Sequence, residues 1–247
     1  PEDTATIAKH EGIPVIADDF DAVNAGGGLM HNKFFIIDYR GSAPDKTWIW
    51  TGSWNPTDPG TNNDMQNSIE IQDQALAGAY TIEFNEMWGS DTDVPNAANS
   101  RFGARKLDNT PHIFAINGTR VELYFSPSDR TTPHMMSVLD NAHTSINTAL
   151  LTLTRSDIAA KLKSKKDAGV KIRGVLDNGT DNGPQYAFLK SMGVDILLDP
   201  NPTGLLHHKY GLIDAELSTA TQVVITGSHN WTSAAETSNN ENTLIVQ

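Results

Sequence analysis

The chain has 247 residues, 38% of them hydrophobic and 19% charged, so it can bury a sizeable core as one large domain or two small halves. Its net charge of −12 disfavours a broad nucleic-acid-binding surface, because such surfaces are usually basic, and any phosphate recognition must be local. The lack of cysteine excludes disulfides, thiolate zinc sites and cysteine nucleophiles, and no stretch approaches the roughly 18 to 20 apolar residues of a membrane-spanning helix.

The first part of the chain predicts two strands and a long helix. HNKFFIID (31–38) has four apolar residues after its lysine that fit a buried strand, and TWIW (47–50) predicts a second strand. A strong helix is predicted for 75–89, and DTDVPNAANS (91–100) reads as an exposed loop or linker. The apolar residues that recur at helical spacing, and that we expect in the core, are Leu76, Tyr80, Phe84 and Trp88.

The second part of the chain alternates strands with helices, which is the pattern of an α/β sheet. Ser156 is expected to cap a helix that Gly169 ends. The predicted strands are 121–125, 145–153, 170–176, 194–198 and 222–226. The predicted helices are 132–143, with Met135, Met136 and Leu139 on its apolar side, then 156–166 and 184–192.

The chain contains an internal repeat. HNKFFIID (31–38) corresponds to HHKYGLID (207–214), and each is followed by a Gly-Ser-x-Asn, at 52–55 and 227–230. The similarity extends to GIPVIADD and GVDILLDP, and to QNSIEI (66–71) and ENTLIV (241–246). We therefore predict a first half at 1–100 and a second at 101–247. Far fewer residues precede His31 than separate Arg120 from His207, so we expect the first half to be truncated at its amino terminus.

The repeated motifs carry side chains suited to phosphoryl transfer. His31 and Lys33 are two residues apart, so in a strand both project from one face. Lysine and asparagine donors stabilise the negative charge of non-bridging phosphate oxygens. One histidine can attack phosphorus, while the other protonates the leaving oxygen and then activates water. The groups expected to converge on one anion without a metal are His31, Lys33, Ser53 and Asn55 with His207, Lys209, Ser228 and Asn230.

The doubled His-x-Lys-x4-Asp with trailing Gly-Ser-x-Asn resembles the phospholipase D superfamily over nearly the whole chain. GSHNWTSAAETSNNEN (227–242) is similar to its nuclease-like branch, and the segments 79–89 and 110–129 resemble secreted prokaryotic members. The resemblance implies an α/β fold of two pseudo-symmetric halves with central mixed sheets and the site at their junction. It implies a phosphohistidine intermediate, no metal or other cofactor, and an extracellular location.

The resemblance also assigns residues. The motif asparagines, lysines and histidines match position by position, whereas Asp38 and Asp214, the motif aspartates, are expected to be structural supports behind the site. The family places a carboxylate behind each histidine, and Glu241 lies 11 residues beyond Asn230, where the nuclease-like branch has it.

The first copy departs from this pattern, because Gln66 stands at the position equivalent to Glu241. Glu70, on the same strand face, could substitute if the register shifts. The resemblance alone makes His31 the nucleophile and His207 the general acid. If the Glu241 carboxylate stands behind His207, His207 would instead be the nucleophile and His31 the general acid.

Three functions compete on these observations. The first is phosphodiester hydrolysis with nucleic acid slightly favoured by the 227–242 segment, although the acidic balance counts against it. The second is a phospholipase D acting on phospholipids, with transphosphatidylation, which needs an apolar rim near the site that the sequence does not reveal. The third is a non-catalytic surface or binding module. The sequence leaves the oligomeric state open.

Overall fold

The computed structural model describes residues 11–21, 23, 27–177, 185–201, 203–216 and 222–247. The first half forms a three-stranded antiparallel sheet in the order β1-β2-β3. Its strands are β1 (Phe34–Ile37), β2 (Trp48–Gly52) and β3 (Ser68–Gln72). Its helices are α1 (Asp58–Asn62) and α2 (Gln74–Trp88).

The second half forms an eight-stranded mixed sheet in the order β4-β5-β11-β10-β9-β6-β7-β8, with β6, β7 and β8 parallel. Its strands are β4 (Ile113–Ile116), β5 (Thr119–Ser126), β6 (Ser145–Leu150), β7 (Lys171–Leu176), β8 (Asp195–Leu198), β9 (Lys209–Ile213), β10 (Val223–Gly227) and β11 (Glu241–Val246). Its helices are α3 (Thr131–Asp140), α4 (Ser156–Asp167), α5 (Gln185–Ser191) and α6 (Ser233–Thr237).

The two copies of the repeat fold alike, which confirms the α/β architecture of two related halves. Strands β9, β10 and β11 pair antiparallel in the same sequence as β1, β2 and β3. Gly52 and Gly227 occupy the same left-handed conformation at the end of the middle strand, with φ of 150° and 139°. A side chain at either glycine would overlap the backbone oxygen of the neighbouring strand, so the motif glycine is required by close packing.

The halves differ in what covers their sheets. On the second sheet, Ile213 and Ile225 are almost fully buried in a core that α3, α4 and α5 help to form. The equivalent face of the first sheet carries Phe35 and Ile37, which are 48% and 45% exposed. The prediction of a fully buried strand after Lys33 is therefore wrong. Strand β1 alternates between packed and exposed residues because only one face of its sheet is covered among the described residues.

Helix α2 joins the halves through a shared core. Leu76 and Tyr80 are fully buried and pack with Phe125 and Leu244 of the second half. Phe84, predicted to lie in the core, is instead 38% exposed, and its ring stacks on the buried ring of Trp88. The halves are thus held together by apolar packing as well as by the site.

The helix boundaries in the second half follow the sequence closely. Helix α4 has Arg155 at its N-cap and begins with Ser156, so Ser156 is the first helical residue instead of the expected cap, and Gly169 follows its end with φ of 93°. Pro184, with which the next predicted helix starts, lies outside the described residues. No helix within the described part of the chain is long and apolar enough to cross a membrane.

Candidate active site

The segments that lead into the two histidines each pair with the opposite half of the chain. The backbone N–H of His31 donates to a carbonyl of the second half at 3.0 Å, and that of His207 donates to a carbonyl of the first half at 2.9 Å. A bridge of this kind fixes both direction and register, so each histidine is positioned by the other half. The parallel bridges are Met30 with Asn240 and Leu206 with Met65.

The imidazole of His31 is held by a carboxylate from the second half. Its Nδ1 lies 2.7 Å from Oε2 of Glu241, whose side chain is fully buried. Ser228 donates its hydroxyl to the same oxygen at 2.7 Å, and Asn239 donates its amide to Oε1 at 3.2 Å. A carboxylate on Nδ1 fixes the orientation and the tautomer of the ring, which leaves Nε2 as the reactive nitrogen.

The partner of His207 is Gln66 and not Glu241. Nδ1 of His207 lies 2.8 Å from Oε1 of Gln66 and 3.0 Å from the carbonyl oxygen of Ser53. Both oxygens are acceptors, so Nδ1 carries the proton and Nε2 presents a lone pair. The expectation that Glu241 stands behind His207 is wrong, because the bridges cross between the halves and bring each supporting residue to the histidine of the other repeat.

The two motif lysines adopt the same buried conformation. Nζ of Lys33 donates to the carbonyl oxygen of His31 at 2.9 Å, and Nζ of Lys209 donates to that of His207 at 2.8 Å. Lys33 is 9% exposed and Lys209 is 2% exposed. Each ammonium is therefore fixed beside its histidine at the start of a motif strand.

The crossing bridges bring the two motifs together, and the charges of the four basic side chains act on one another. Burial first, and then the charges of both lysines and of His31, lower the pKa of His207 to about 3. Burial lowers the pKa of Lys33 to about 8, against the raising effect of Glu241. Burial and the charge of Lys33 hold the pKa of Lys209 well below its ordinary value. The free site therefore has an excess of positive groups that a bound anion would relieve.

The motif asparagines lie in equivalent turns. The carbonyl oxygen of Asn55 accepts from Thr57 at 2.8 Å, and that of Asn230 accepts from Thr232 at 2.7 Å. The backbone N–H of Asn55 also donates to Gln66 at 3.2 Å. Oδ1 of Asn230 is buried and has no hydrogen-bond partner among the described residues. No hydrogen bond from the described residues thus holds this side-chain oxygen of Asn230.

The motif serines support the site from behind. Both are fully buried. Ser228 uses its only hydroxyl hydrogen on Glu241, and Ser53 directs its hydroxyl to Oδ1 of Asn67 at 3.3 Å. A serine hydroxyl has one hydrogen to donate and the fold already uses it, so phosphate binding by these serines stays a prediction that would need each hydroxyl to rotate.

The predicted carboxylates other than Glu241 lie away from the histidines. Asp214 follows the far end of β9, roughly 16 Å along the strand from Lys209. Burial alone would raise its pKa, but hydrogen bonds from the backbone of Ser145, Thr144 and the preceding residue lower it to about 2. Asp38 is exposed at the equivalent end of β1.

Glu70 is also exposed, opposite Trp50 in the register of β2 and β3, so it does not substitute for Gln66. The structural role expected of Asp214 is confirmed by its hydrogen bonds to the 143–145 segment, far from the histidines. The imidazoles are held by Glu241 and Gln66, so the expectation that Asp38, Asp214 and Glu70 stand behind the histidines is wrong. Among the described residues no cluster of His, Asp or Glu could hold a metal ion.

A pair of asparagines that the sequence reasoning passed over ties the halves together. Oδ1 of Asn242 accepts from Thr51 at 2.7 Å, and Nδ2 of Asn67 donates to Thr226 at 2.8 Å. Asn67 also accepts from Nδ1 of His208 at 3.0 Å. Both asparagines follow the supporting Gln or Glu directly, so the aligned doublets QN and EN carry the signal that could have found them.

Comparison with known proteins gives the family. A family model described as "Cardiolipin synthase, PLD-like domain" matches residues 4–88 and 135–247. The mitochondrial cardiolipin hydrolase of Homo sapiens is 30% identical over 115 residues, which cover 46% of this chain and 43% of the relative. A phospholipase D of Rickettsia conorii is 29% identical over 138 residues, covering 55% of this chain and 66% of the relative. The chain spans about half the length of the first curated relatives it matches.

Among solved structures, the phosphatidylserine synthase of Haemophilus influenzae Rd KW20 aligns with a TM-score of 0.58, covering 89% of this chain and 58% of that chain. At 11% sequence identity, this similarity shows a shared fold and nothing about function. The family model covers most of the chain, and its two matched segments contain the histidines whose supports cross between the halves. The chain therefore belongs to the phospholipase D superfamily.

Proposed function

We propose that the protein hydrolyses phosphodiesters through a phosphohistidine intermediate without a metal ion. The observation that carries the proposal is that two imidazoles, each held at Nδ1, share one site with two buried lysines. Imidazoles fixed in this way direct both Nε2 atoms away from their supports. The lysine ammoniums are the donors for the non-bridging oxygens of a phosphate between them.

His31 is the nucleophile in this scheme. Its Nε2 attacks phosphorus and the bond from phosphorus to the leaving oxygen breaks, so the phosphorylated ring becomes cationic while Nδ1 keeps its hydrogen. The buried carboxylate of Glu241, 2.7 Å from Nδ1, stabilises that cation. Gln66 is uncharged and offers His207 no such stabilisation, so the carboxylate favours His31 for the covalent step.

His207 acts as the general acid and then as the general base. The anionic phosphate offsets the lysine charges that lower the pKa of this ring, so substrate binding allows Nε2 to carry a proton. Nε2 gives that proton to the leaving oxygen and later takes one from the attacking water. The water oxygen bonds to phosphorus, the bond from phosphorus to His31 breaks, and the products are a phosphomonoester and an alcohol.

Hydrolysis of bis-p-nitrophenyl phosphate in excess EDTA tests the reaction. We expect turnover by the wild-type protein, none by His31→Ala, and an acid-labile phosphoenzyme after rapid quenching. His207→Ala should lose less of the first step with p-nitrophenolate, a leaving group that needs no proton, than with an alkoxide leaving group. A protein with no turnover in EDTA would instead favour the binding module.

Nuclease activity is the second candidate function. It is supported by the similarity of segment 227–242 to the nuclease-like branch of the superfamily. Two carboxylates weigh against it, because Asp64 and Asp177 lie close enough to Lys209 to raise its pKa. A polyanion entering the site would meet these charges and the net charge of −12. Cleavage of plasmid DNA, measured beside a phosphatidylcholine vesicle under the same conditions, decides between the two substrates.

A further inference from the structure

The repeat extends three residues upstream of each histidine as Gly-Leu-x-His. Gly28 and Leu29 precede His31 as Gly204 and Leu205 precede His207. A Cβ at Gly28 would lie 2.2 Å from a backbone oxygen of the second half, and one at Gly204 would lie 2.1 Å from a backbone oxygen of the first half. Each glycine thus lets its segment pack tightly across the junction.

The leucines that follow are fixed by the same crossing contacts. The carbonyl oxygen of Leu29 accepts from Asn240 at 2.8 Å, and that of Leu205 accepts from Met65 at 2.8 Å. The N–H groups donate to side chains of the opposite half at 3.1 and 3.0 Å. Both backbone groups of each leucine are therefore bonded, so its position is determined by the fold.

The side chains of these leucines nevertheless lie in solvent. Leu29 is 60% exposed and Leu205 is 42% exposed. Of the residues between them and their histidines, Leu206 is 6% exposed and Met30 is 47% exposed. Side chains two residues apart in an extended segment share a face, with Cα atoms about 7 Å apart. Each leucine therefore lies on the same side of its segment as the neighbouring histidine.

The carboxylates beside the two leucines favour uncharged substituents on the phosphate. Carboxylates of Asp18 and Asp64 accept hydrogen bonds from the N–H groups of Met30 and Leu205 at 3.1 and 3.0 Å. Negative charge beside an exposed leucine repels a chain of phosphates but does not oppose hydrocarbon. Single exposed leucines are common on proteins, but here two exposed leucines stand at equivalent positions, each two residues before a motif histidine.

We propose that Leu29 and Leu205, the leucine collar, contact the two substituents of the phosphodiester and select substrates with hydrocarbon next to the phosphate. This inference rests on the proposed function, because it assigns the groups that flank the reacting phosphorus. Each half would supply one leucine, one histidine and one lysine, so the substrate is held on both sides by equivalent groups.

A homologous series of p-nitrophenyl alkyl phosphates, from methyl to butyl, tests the collar with a constant leaving group. For the wild-type protein we expect kcat/KM to rise by up to about fourfold per methylene, the ratio that corresponds to full burial of a CH₂ group. In Leu29→Ala, Leu205→Ala or the double variant, the ratio of butyl to methyl should fall towards one. Leu197→Ala, at a 54% exposed leucine of β8, is the matched control and should keep the wild-type ratio.

The outcomes separate the two proposals. If the wild-type protein hydrolyses no ester, the proposed function and the collar both fail. If it hydrolyses all esters with equal kcat/KM, or prefers the p-nitrophenyl ester of thymidine 5′-phosphate to the butyl ester, the collar is refuted and phosphodiester hydrolysis stands. A butyl-to-methyl ratio that is unchanged in the double variant also refutes the collar.

Discussion

Replacement of His207 by asparagine should make the stability of the protein less sensitive to acid. His207 is 5% exposed and its pKa in the folded protein is about 3, because of burial and then of the nearby positive charges. An asparagine amide can still donate to Oε1 of Gln66, which His207 does at 2.8 Å, but it has no titrating group. The variant therefore removes the proton-binding group and keeps the contact.

The size of the effect follows from linkage between proton binding and folding. The unfolded histidine has a pKa of about 6.5, so between that pH and the folded pKa the unfolded state binds more protons and stability rises with pH. At about 1.4 kcal/mol per pH unit, His207 alone lowers the free energy of unfolding by about 2 kcal/mol between pH 7 and pH 5. In His207→Asn this contribution is absent, and the other titrating groups contribute as before.

Urea unfolding at pH 7, 6 and 5, followed by tryptophan fluorescence, measures the difference in slope between wild type and variant. His143→Asn, at an exposed histidine, is the control and should keep the wild-type slope. If the free energy of unfolding of His207→Asn falls with acid as steeply as that of the wild type, then His207 is not the buried neutral group described here.

Three further substitutions test the supports of the site and the packing across the junction. Glu241→Gln should lower kcat for bis-p-nitrophenyl phosphate by about 10- to 100-fold, because the cationic phosphohistidine loses its counter-charge, and an unchanged kcat contradicts the assigned role. Glu83→Ala should lower the free energy of unfolding in urea by about 3–5 kcal/mol, since it leaves the ammonium of Lys106, whose side chain is 0% exposed, without its carboxylate. The double variant Glu83→Met with Lys106→Met should lose less than Glu83→Ala, and an equal loss refutes this account. Gly204→Ala should lower both stability and turnover, measured by urea unfolding and by hydrolysis, because its Cβ would lie 2.1 Å from the carbonyl oxygen of Asn63.

The two histidines have different hydrogen-bond partners, which makes the pseudo-symmetric site chemically asymmetric. A carboxylate bonds to His31 and an amide to His207, although the two residues occupy equivalent positions in the repeat. The buried carboxylate can stabilise a positive charge that forms on His31 during the reaction, whereas the uncharged amide of Gln66 cannot do so for His207. Two chemically identical side chains thus have supports suited to different roles.

Much of the fold could be read from local patterns. Strands β5, β6, β7, β8 and β10, helices α3 and α4 and the helix from Gln74 to Trp88 follow from apolar periodicity, and the pairing of the two repeats follows from the matched motifs. Strand β4 and helix α6 were not predicted. Such patterns are reliable because alternation with a period of two or 3.6 residues reports which face of an element packs.

The sequence by itself determined which residue types belong to the site, since His31, Lys33, His207 and Lys209 are named by a repeated motif. Only the tertiary structure decided which support serves which histidine. Glu241 reaches His31 across 210 residues, because the segments before the histidines form bridges with the opposite half. Spacing along a chain specifies neighbours on one strand, whereas contacts between halves depend on how the sheets pack. For the same physical reason, the burial of the motif serines and the exposure of Leu29 and Leu205 could not be read from the sequence.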